Sequence, residues 1–317
     1  MQKFSVTILG SNSALPANGR YPTAQLLNVD SSYYLIDCGE GTQMQLRRYR
    51  LKMQRITAIF ISHLHGDHYF GLLGLINSLH LLGRKQELTL VCPCLLKKII
   101  ELQLKASGGA LQYKLNYIFT DSIHQKKEKQ ELYADKHIVV NGFPLKHRID
   151  CSGFEFAETK SDFKYDPEKG GALGVKVAEI PRLKKGVDIE RLDGTFISHL
   201  DVTSPPDPIR KYAYCTDTKA LESTSVYSQG ADTMYHEATF LKSEARRAKQ
   251  TYHSTAERAA GVALKANVGQ LLIGHFSARY KDLEPLLTEA SEVFPNTALA
   301  IEGTEFEIIK RKQPYQD

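Results

Sequence analysis

Short apolar runs broken by polar turns dominate the first third of the chain. Residues 4–9 read as a strand that passes into a Gly/Ser/Asn/Pro loop ending at Pro22. Residues 24–29 and 33–36 predict two more strands with a turn between them. Residues 56–61 form a continuous apolar run rich in β-branched side chains, too short for a helix and suited to a buried strand. Helical spacing appears over 43–52, 69–82 and 95–105, with a strand at 88–92. The stretch from His63 to His68 falls between strand and helix and is expected to be a loop. Further on, strands are expected at 194–198, 211–215, 233–235, 270–273, 298–301 and 306–309, with an extended stretch at 143–146. Ser254-Thr255-Ala256-Glu257 predicts a capping box with Ser254 as the cap of a helix reaching about Lys265. A last helix is expected over 283–293, with Pro285 in its first turn.

The early strand–turn–strand series has no room for crossover helices, which argues against one parallel sheet. Two strand-rich sheets with helices outside them fit the order better. With 317 residues, about three quarters of the unfolded surface can be buried, enough for one large core. The chain is therefore read as a single domain, 1–317. Residues 157–193 interrupt it with eight acidic and eight basic side chains, several glycines and little periodicity. An insertion or protruding arm at 155–192 accounts for that.

The formal net charge of +5 permits a polyanionic partner without requiring one. Its distribution says more: Arg47, Arg48, Arg50, Lys52 and Arg55 fall within nine residues that hold no acid. Five cysteines, an odd number with no second pair to complete a Cys-x-Cys site, argue against a disulfide framework. All but Cys151 sit in or beside strand-like stretches, and the five read as mostly buried small hydrophobes. The start lacks a long apolar leader, and no run reaches the roughly 18 apolar residues of a membrane span. A soluble, cytoplasmic protein without membrane contact or nucleotide cofactor is expected.

Chemistry concentrates in His63-Leu64-His65-Gly66-Asp67-His68, four potential ligands in six positions directly after a buried strand. Packing alone does not account for that density. Imidazole nitrogen and carboxylate oxygen together suit zinc or a similar divalent ion. The spacing is not that of a helical His-Glu-x-x-His site. It is two pairs in a loop: His63 and His65 can serve one ion, Asp67 and His68 a second. Each ion then needs further ligands from distant parts of the chain.

The stretches YLIDCGEGTQMQLRR, ITAIFISHLHGDHYFGLLGL, PLKHRIDCSGFEF, YAYCTDT, MYHEATF, YHSTAE and LIGHFSARY resemble the ribonuclease Z family of the metallo-β-lactamase superfamily. The resemblance runs from the first strand to about residue 280, with a variable central segment. The metal loop alone marks only the superfamily; the His-Glu-Ala-Thr, His-Ser-Thr and Ser-Ala-Arg-Tyr trio is far more specific. It implies an α/β fold (α+β in some schemes), the αβ/βα four-layer sandwich of two mixed β-sheets flanked by helices. It also implies two divalent ions per subunit, zinc first among them. One would be held by His63, His65 and His147, the other by Asp67, His68 and His275, with Asp217 between them.

The resemblance further implies hydrolysis of transfer RNA precursors after the discriminator nucleotide, leaving a 3′-hydroxyl and a trailer 5′-phosphate. A hydroxide activated by both ions would attack, with Asp67 accepting a hydrogen bond from it. His253, tuned by Glu237, would protonate the leaving oxygen. Ser277 and Arg279 are candidate phosphate contacts, and Arg47 and Arg48 could line the acceptor-stem path or a dimer surface. The arm, with Lys176, Arg182, Lys184 and Lys185, would grip precursor transfer RNA as an exosite, usually across a homodimer. This chain departs from the family in lacking a Gly-Pro motif near the arm tip. A general phosphodiesterase of the same superfamily is the main competing reading. A noncatalytic RNA-binding scaffold is remote, since no expected ligand is missing.

Overall fold

The computed structural model describes residues 3–159 and 162–311. Among the described residues, 3–157 and 210–311 form one compact unit, and those of Glu158–Ile209 form another.

The larger unit holds two seven-stranded mixed sheets. In the first, the strands run in the order Glu305–Glu307, Phe4–Gly10, Ala24–Val29, Ser32–Ile36, Ile56–Phe60, Leu88–Cys92, Leu115–Phe119. The second runs Thr297–Leu299, Gln270–Gly274, Thr233–Glu237, Lys211–Cys215, Cys151–Glu158, Ile138–Leu145, Gln130–Ala134. Their central strands are buried on both faces, because each sheet packs on its mate and on helices. Along one strand Tyr34 and Ile36 join the cluster between the sheets, while Tyr33 and Leu35 turn to the helical side. There Leu72, Leu75, Ile76 and Leu79 present one face of the helix Leu72–Leu81. On the outer face of the second sheet, alanines of the helix Ala256–Lys265 and Leu286 of Glu284–Ser291 form a third cluster. The result is four layers, helix–sheet–sheet–helix.

Chain direction places the chemistry. Lys211–Cys215, Thr233–Glu237 and Gln270–Gly274 are parallel neighbours, with Cys215 opposite His236 and Glu237 opposite Gly274. The residues just beyond these strands therefore emerge side by side. Ile56–Phe60 is likewise parallel to its two neighbours, and the His63 loop follows its end.

Several expectations change in detail. Gly66–Tyr69 is a helical turn, so Asp67 and His68 sit on helix rather than loop, and the next helix starts only at Leu72. The cap of Ala256–Lys265 is Thr255, whose hydroxyl accepts from Arg258 N–H. Ser254 instead donates to the Thr218 carbonyl, and Glu257 pairs with Lys242. Cys151, set apart by the sequence, opens the strand Cys151–Glu158 and is fully buried. Among the described residues no helix is long and apolar enough to cross a membrane.

The unit Glu158–Ile209 has a small core of its own: Leu183, Ile189, Ile197 and Val202, with Tyr165 and Val175 against them. Two two-stranded ribbons frame it, Lys164–Tyr165 with Thr203–Ser204 and Ile189–Glu190 with Phe196–Ile197. Asp166 caps the helix Pro167–Ala172 through the N–H groups of Glu168 and Lys169. Arg191 pairs with Glu179 at 2.7 Å. Lys176, Arg182 and Lys185 are exposed and Lys184 half-buried.

Candidate metal centre

His63, two residues past the strand Ile56–Phe60 and its buried partner Ile61, is itself fully buried. Its Nε2 lies 3.0 Å from His65 Nδ1, which is 3.2 Å from His147 Nε2. Asp217 Oδ2 is 3.6 Å from both His63 Nε2 and His147 Nε2. The other Asp217 oxygen, Oδ1, is 3.3 Å from His68 Nε2 and 3.0 Å from His275 Nε2. Asp67 Oδ2 completes that side, 3.5 Å from both of these nitrogens. Donor atoms thus gather into His63, His65, His147 and Asp217 on one hand and Asp67, His68 and His275 on the other, with all atoms of each group within 4.8 Å. Asp217 stands between the groups, turning one oxygen to each.

Buried neighbours fix these rings. Asp37, with a left-handed backbone at φ 54°, is buried at the end of the strand Ser32–Ile36. Its Oδ1 accepts from Ser62 N–H, and its Oδ2 from the Ser62 and Tyr214 hydroxyls. The same Oδ2 lies 2.7 Å from His68 Nδ1, which turns Nε2 toward the carboxylates. Thr239 Oγ1 does the same for His275, 2.9 Å from its Nδ1. The Ala14 N–H donates to Asp67 Oδ2 at 2.8 Å. Two glycines admit close backbone approach: a Cβ on Gly39 would meet the Asp67 carbonyl at 2.4 Å, and one on Gly71 the Gly39 carbonyl at 2.2 Å.

The electrostatics divide the rings. Burial holds His63 well below the usual histidine value and lowers His65 and His147, keeping their lone pairs available. Burial also works against a charged His68, but Asp217, Asp67 and Asp37 outweigh it and raise that ring well above. Asp217 and Asp67 remain ionised, because the facing imidazoles overcome the burial that would raise them.

Beside the cluster, Glu237 is fully buried and saturated. Its Oε1 accepts from the N–H groups of Thr218 and Ser254, and its Oε2 from the Thr239 N–H and hydroxyl. Oε1 also lies 2.9 Å from His253 Nδ1. All of this opens into a cavity of about 600 Å³ lined by members of both donor groups, His253 and Ser277.

Comparison with known proteins agrees with this geometry. Over 303 residues the chain is 46% identical to ribonuclease Z of Bacteroides fragilis, covering 96% of this chain and 98% of that protein. Ribonuclease Z of Cytophaga hutchinsonii is 44% identical over 310 residues, 97% of each chain. The chain belongs to the ribonuclease Z family. Residues 4–166 also match the family model described as Anti-Pycsar protein Apyc1. Human tRNase Z, short form, superposes with a TM-score of 0.69 at 27% identity, covering 96% of this chain and 99% of that one. The metallo-β-lactamase fold protein YhfI of Bacillus subtilis gives 0.67 at 18% identity, over 97% and 100%. The sandwich is thus the metallo-β-lactamase fold.

In this ribonuclease Z family chain the donor set suits a divalent metal. His68 Nε2 and His275 Nε2 are buried with no hydrogen-bond partner, and both face carboxylate oxygens. Such orphaned nitrogens are costly unless a cation takes their lone pairs.

The sequence-selected phosphate contacts separate. Ser277 lines the cavity. Arg279 is outside that lining, pairs with Glu244 at 2.7 Å and lies over the Phe240 ring. Arg47 and Arg48 are exposed at the end of the helix Thr42–Arg48, also away from the cavity lining. The sequence alone does not single out Asp37 or Thr239. The polar Asp-Cys-Gly-Glu-Gly turn at a strand end is the available signal for Asp37. Arg148 and Arg247, both in the cavity lining, carry no signal beyond their charge.

Proposed function

We propose that this chain is a metal-dependent endoribonuclease that removes the 3′ trailer of transfer RNA precursors. It would cut after the discriminator nucleotide, leaving a 3′-hydroxyl on the transfer RNA and a 5′-phosphate on the trailer. What carries the reading is one observation: seven donor side chains cluster beside the Glu237–His253 pair, and both donor groups and His253 reach one cavity, in a chain related along 96% of its length to ribonuclease Z.

His63, His65 and His147 would hold one divalent ion and Asp67, His68 and His275 a second, with Asp217 shared. Imidazole and carboxylate donors favour zinc. When bound, the ions would lower the pKa of water and offset charge on the phosphoryl group. The side chains do the rest. Ala14 N–H occupies Asp67 Oδ2, so Oδ1 is the acceptor for an incoming water. Glu237 fixes the tautomer of His253 by taking Nδ1–H, which makes Nε2 the atom that delivers a proton to the leaving 3′-oxygen. Burial opposes the charged ring, but the Glu237 carboxylate raises His253 to about 9, so the donor is protonated at neutral pH. Ser277 would touch the phosphate; Arg279 would have to leave Glu244 to do so. Substrate choice would come from the arm at 155–192, with Lys176, Arg182, Lys184 and Lys185 reading RNA shape and backbone. Arg47 and Arg48 would add to the RNA path, in a cytoplasmic homodimer.

The test uses purified, metal-analysed protein and a folded precursor with a short 3′ trailer, its products mapped at nucleotide resolution. A single cut after the discriminator, abolished by chelation and by Asp67→Ala, is expected. Rapid hydrolysis of a small activated diester with the precursor left intact would overturn the reading in favour of a general phosphodiesterase.

A further inference from the structure

The rim of the cavity carries two cations that neither the metal cluster nor the proton-donor pair uses. Arg148 and Arg247 line it, and both are exposed. Several other basic side chains of the larger unit are committed. Arg279 is paired with Glu244, Lys242 with Glu257, and Arg20 reaches the Asn12 side chain and the Tyr280 carbonyl. Lys219 lies 3.9 Å above the Tyr252 ring. Among the described residues the guanidinium groups of Arg148 and Arg247 have no carboxylate or carbonyl partner. An unpaired arginine at a catalytic cavity is a ready phosphate ligand, since its planar fork matches two phosphate oxygens.

Both belong to the proton-donor side. Arg148 directly follows His147, and Arg247 is on the helix Ala245–Thr251, whose last residue also lines the cavity two positions before His253. The two segments are joined, His147 Nδ1 lying 3.3 Å from the Tyr252 carbonyl oxygen. The His147 and His253 rings are 5.1 Å apart. A nucleotide whose 3′-oxygen takes a proton from His253 has to rest against this wall. That nucleotide remains with the transfer RNA after cleavage.

We propose that Arg148 and Arg247 grip the RNA backbone on the transfer RNA side of the scissile linkage, next to the discriminator nucleotide. The grip rests on the nuclease reading above and makes the mature product, rather than the trailer, its ligand. It also explains how a cavity walled by carboxylates keeps hold of a polyanion after the cut.

The experiment compares wild type with Arg148→Gln/Arg247→Gln in the full-length metal-loaded protein, using mature transfer RNA as the binding probe. Metal content and melting temperature serve as fold controls. Affinity for mature transfer RNA is expected to fall, and the slope of log K against log salt to flatten by about 0.7 to 0.9 for each phosphate no longer neutralised. Precursor kcat/KM should fall further than kcat/KM for a small activated diester. Arg148→Lys/Arg247→Lys should restore part of the affinity, because charge returns without the fork. An unchanged affinity and salt slope in the Gln variant, with wild type still cutting precursor, overturns the grip alone. Loss confined to long-trailer precursors overturns its placement on the transfer RNA side. A wild-type protein that fails to cut precursor overturns the nuclease reading and the grip with it.

Discussion

Oε1 of Glu237 lies 2.9 Å from His253 Nδ1 while also accepting the backbone N–H groups of Thr218 and Ser254. Three donors on one buried oxygen lock the carboxylate, and the carboxylate in turn locks the ring. The pair is therefore fixed in place rather than a mobile surface ion pair.

A pH profile exposes that relation. Burial pulls His253 down, Glu237 more than reverses it, and the ring stands at about 9. The proton is present below that value and lost above it, so precursor cleavage should decline as pH rises through about 9. In Glu237→Gln that carboxylate is gone, and only the weaker pull of Asp217 and Asp67 is left against burial. The basic limb should then move to the ordinary histidine range of roughly 6.5 or below. A limb that stays in place in the variant would remove His253 as the titrating group.

Asp37 makes a stability prediction. Its two oxygens serve Ser62 N–H, the Ser62 and Tyr214 hydroxyls and the His68 ring. Asp37→Asn swaps one acceptor oxygen for an NH₂ facing donors, which should cost about 2–4 kcal/mol in denaturant unfolding. Metal affinity should also drop by roughly ten- to a hundredfold, because His68 loses the acceptor that orients it. Wild-type metal affinity in the variant would contradict that role.

Gly39 offers a steric test away from any donor atom. A methyl group there would meet the Asp67 carbonyl at 2.4 Å, so Gly39→Ala should displace the turn that carries Asp67 and His68. Overpacking of this kind costs about 1–3 kcal/mol. Bound metal per chain should fall with it. By contrast, a methyl group added at Gly83 would have nothing within 4 Å, so its strain is that of φ 77° alone. Gly83→Ala should keep full metal content.

At the helix Ala256–Lys265, Thr255→Ala should cost about 1 kcal/mol as a lost N-cap. Ser254→Ala should act differently, since its hydroxyl is spent on the Thr218 carbonyl beside Glu237. Thermal melts of both and the pH profile of Ser254→Ala separate cap from site. Equal melts with a shifted profile only in Thr255→Ala would reverse the assignment.

The reach of the sequence follows the range of the forces. Strands buried on both faces, such as Lys211–Cys215 and Leu88–Cys92, are legible to the residue, since their apolar runs need no partner to be recognised. Leu115–Phe119 and Gln130–Ala134 are not: both are edge strands, half-exposed, with no clean alternation. The six-residue ligand loop is legible because its donors are local, whereas the resemblance brings in His147, Asp217 and His275. Asp37 is not legible as a ring-orienting acceptor, because its partners Ser62 and Tyr214 come from another loop and from the other sheet. The cap slips by one residue because Ser254 and Thr255 carry the same hydroxyl, and only Thr218 in the fold tells them apart.

The donor cluster draws on positions 63 to 275, from the early strands of one sheet to one of the last strands of the other. During synthesis, then, the centre has no complete second half until Gln270–Gly274 has left the ribosome and joined its sheet. A truncated or stalled chain would hold the histidine loop without its opposite wall. Hydrolytic power is thereby withheld from unfinished copies, in surroundings crowded with RNA, and arrives only once His275 is in place.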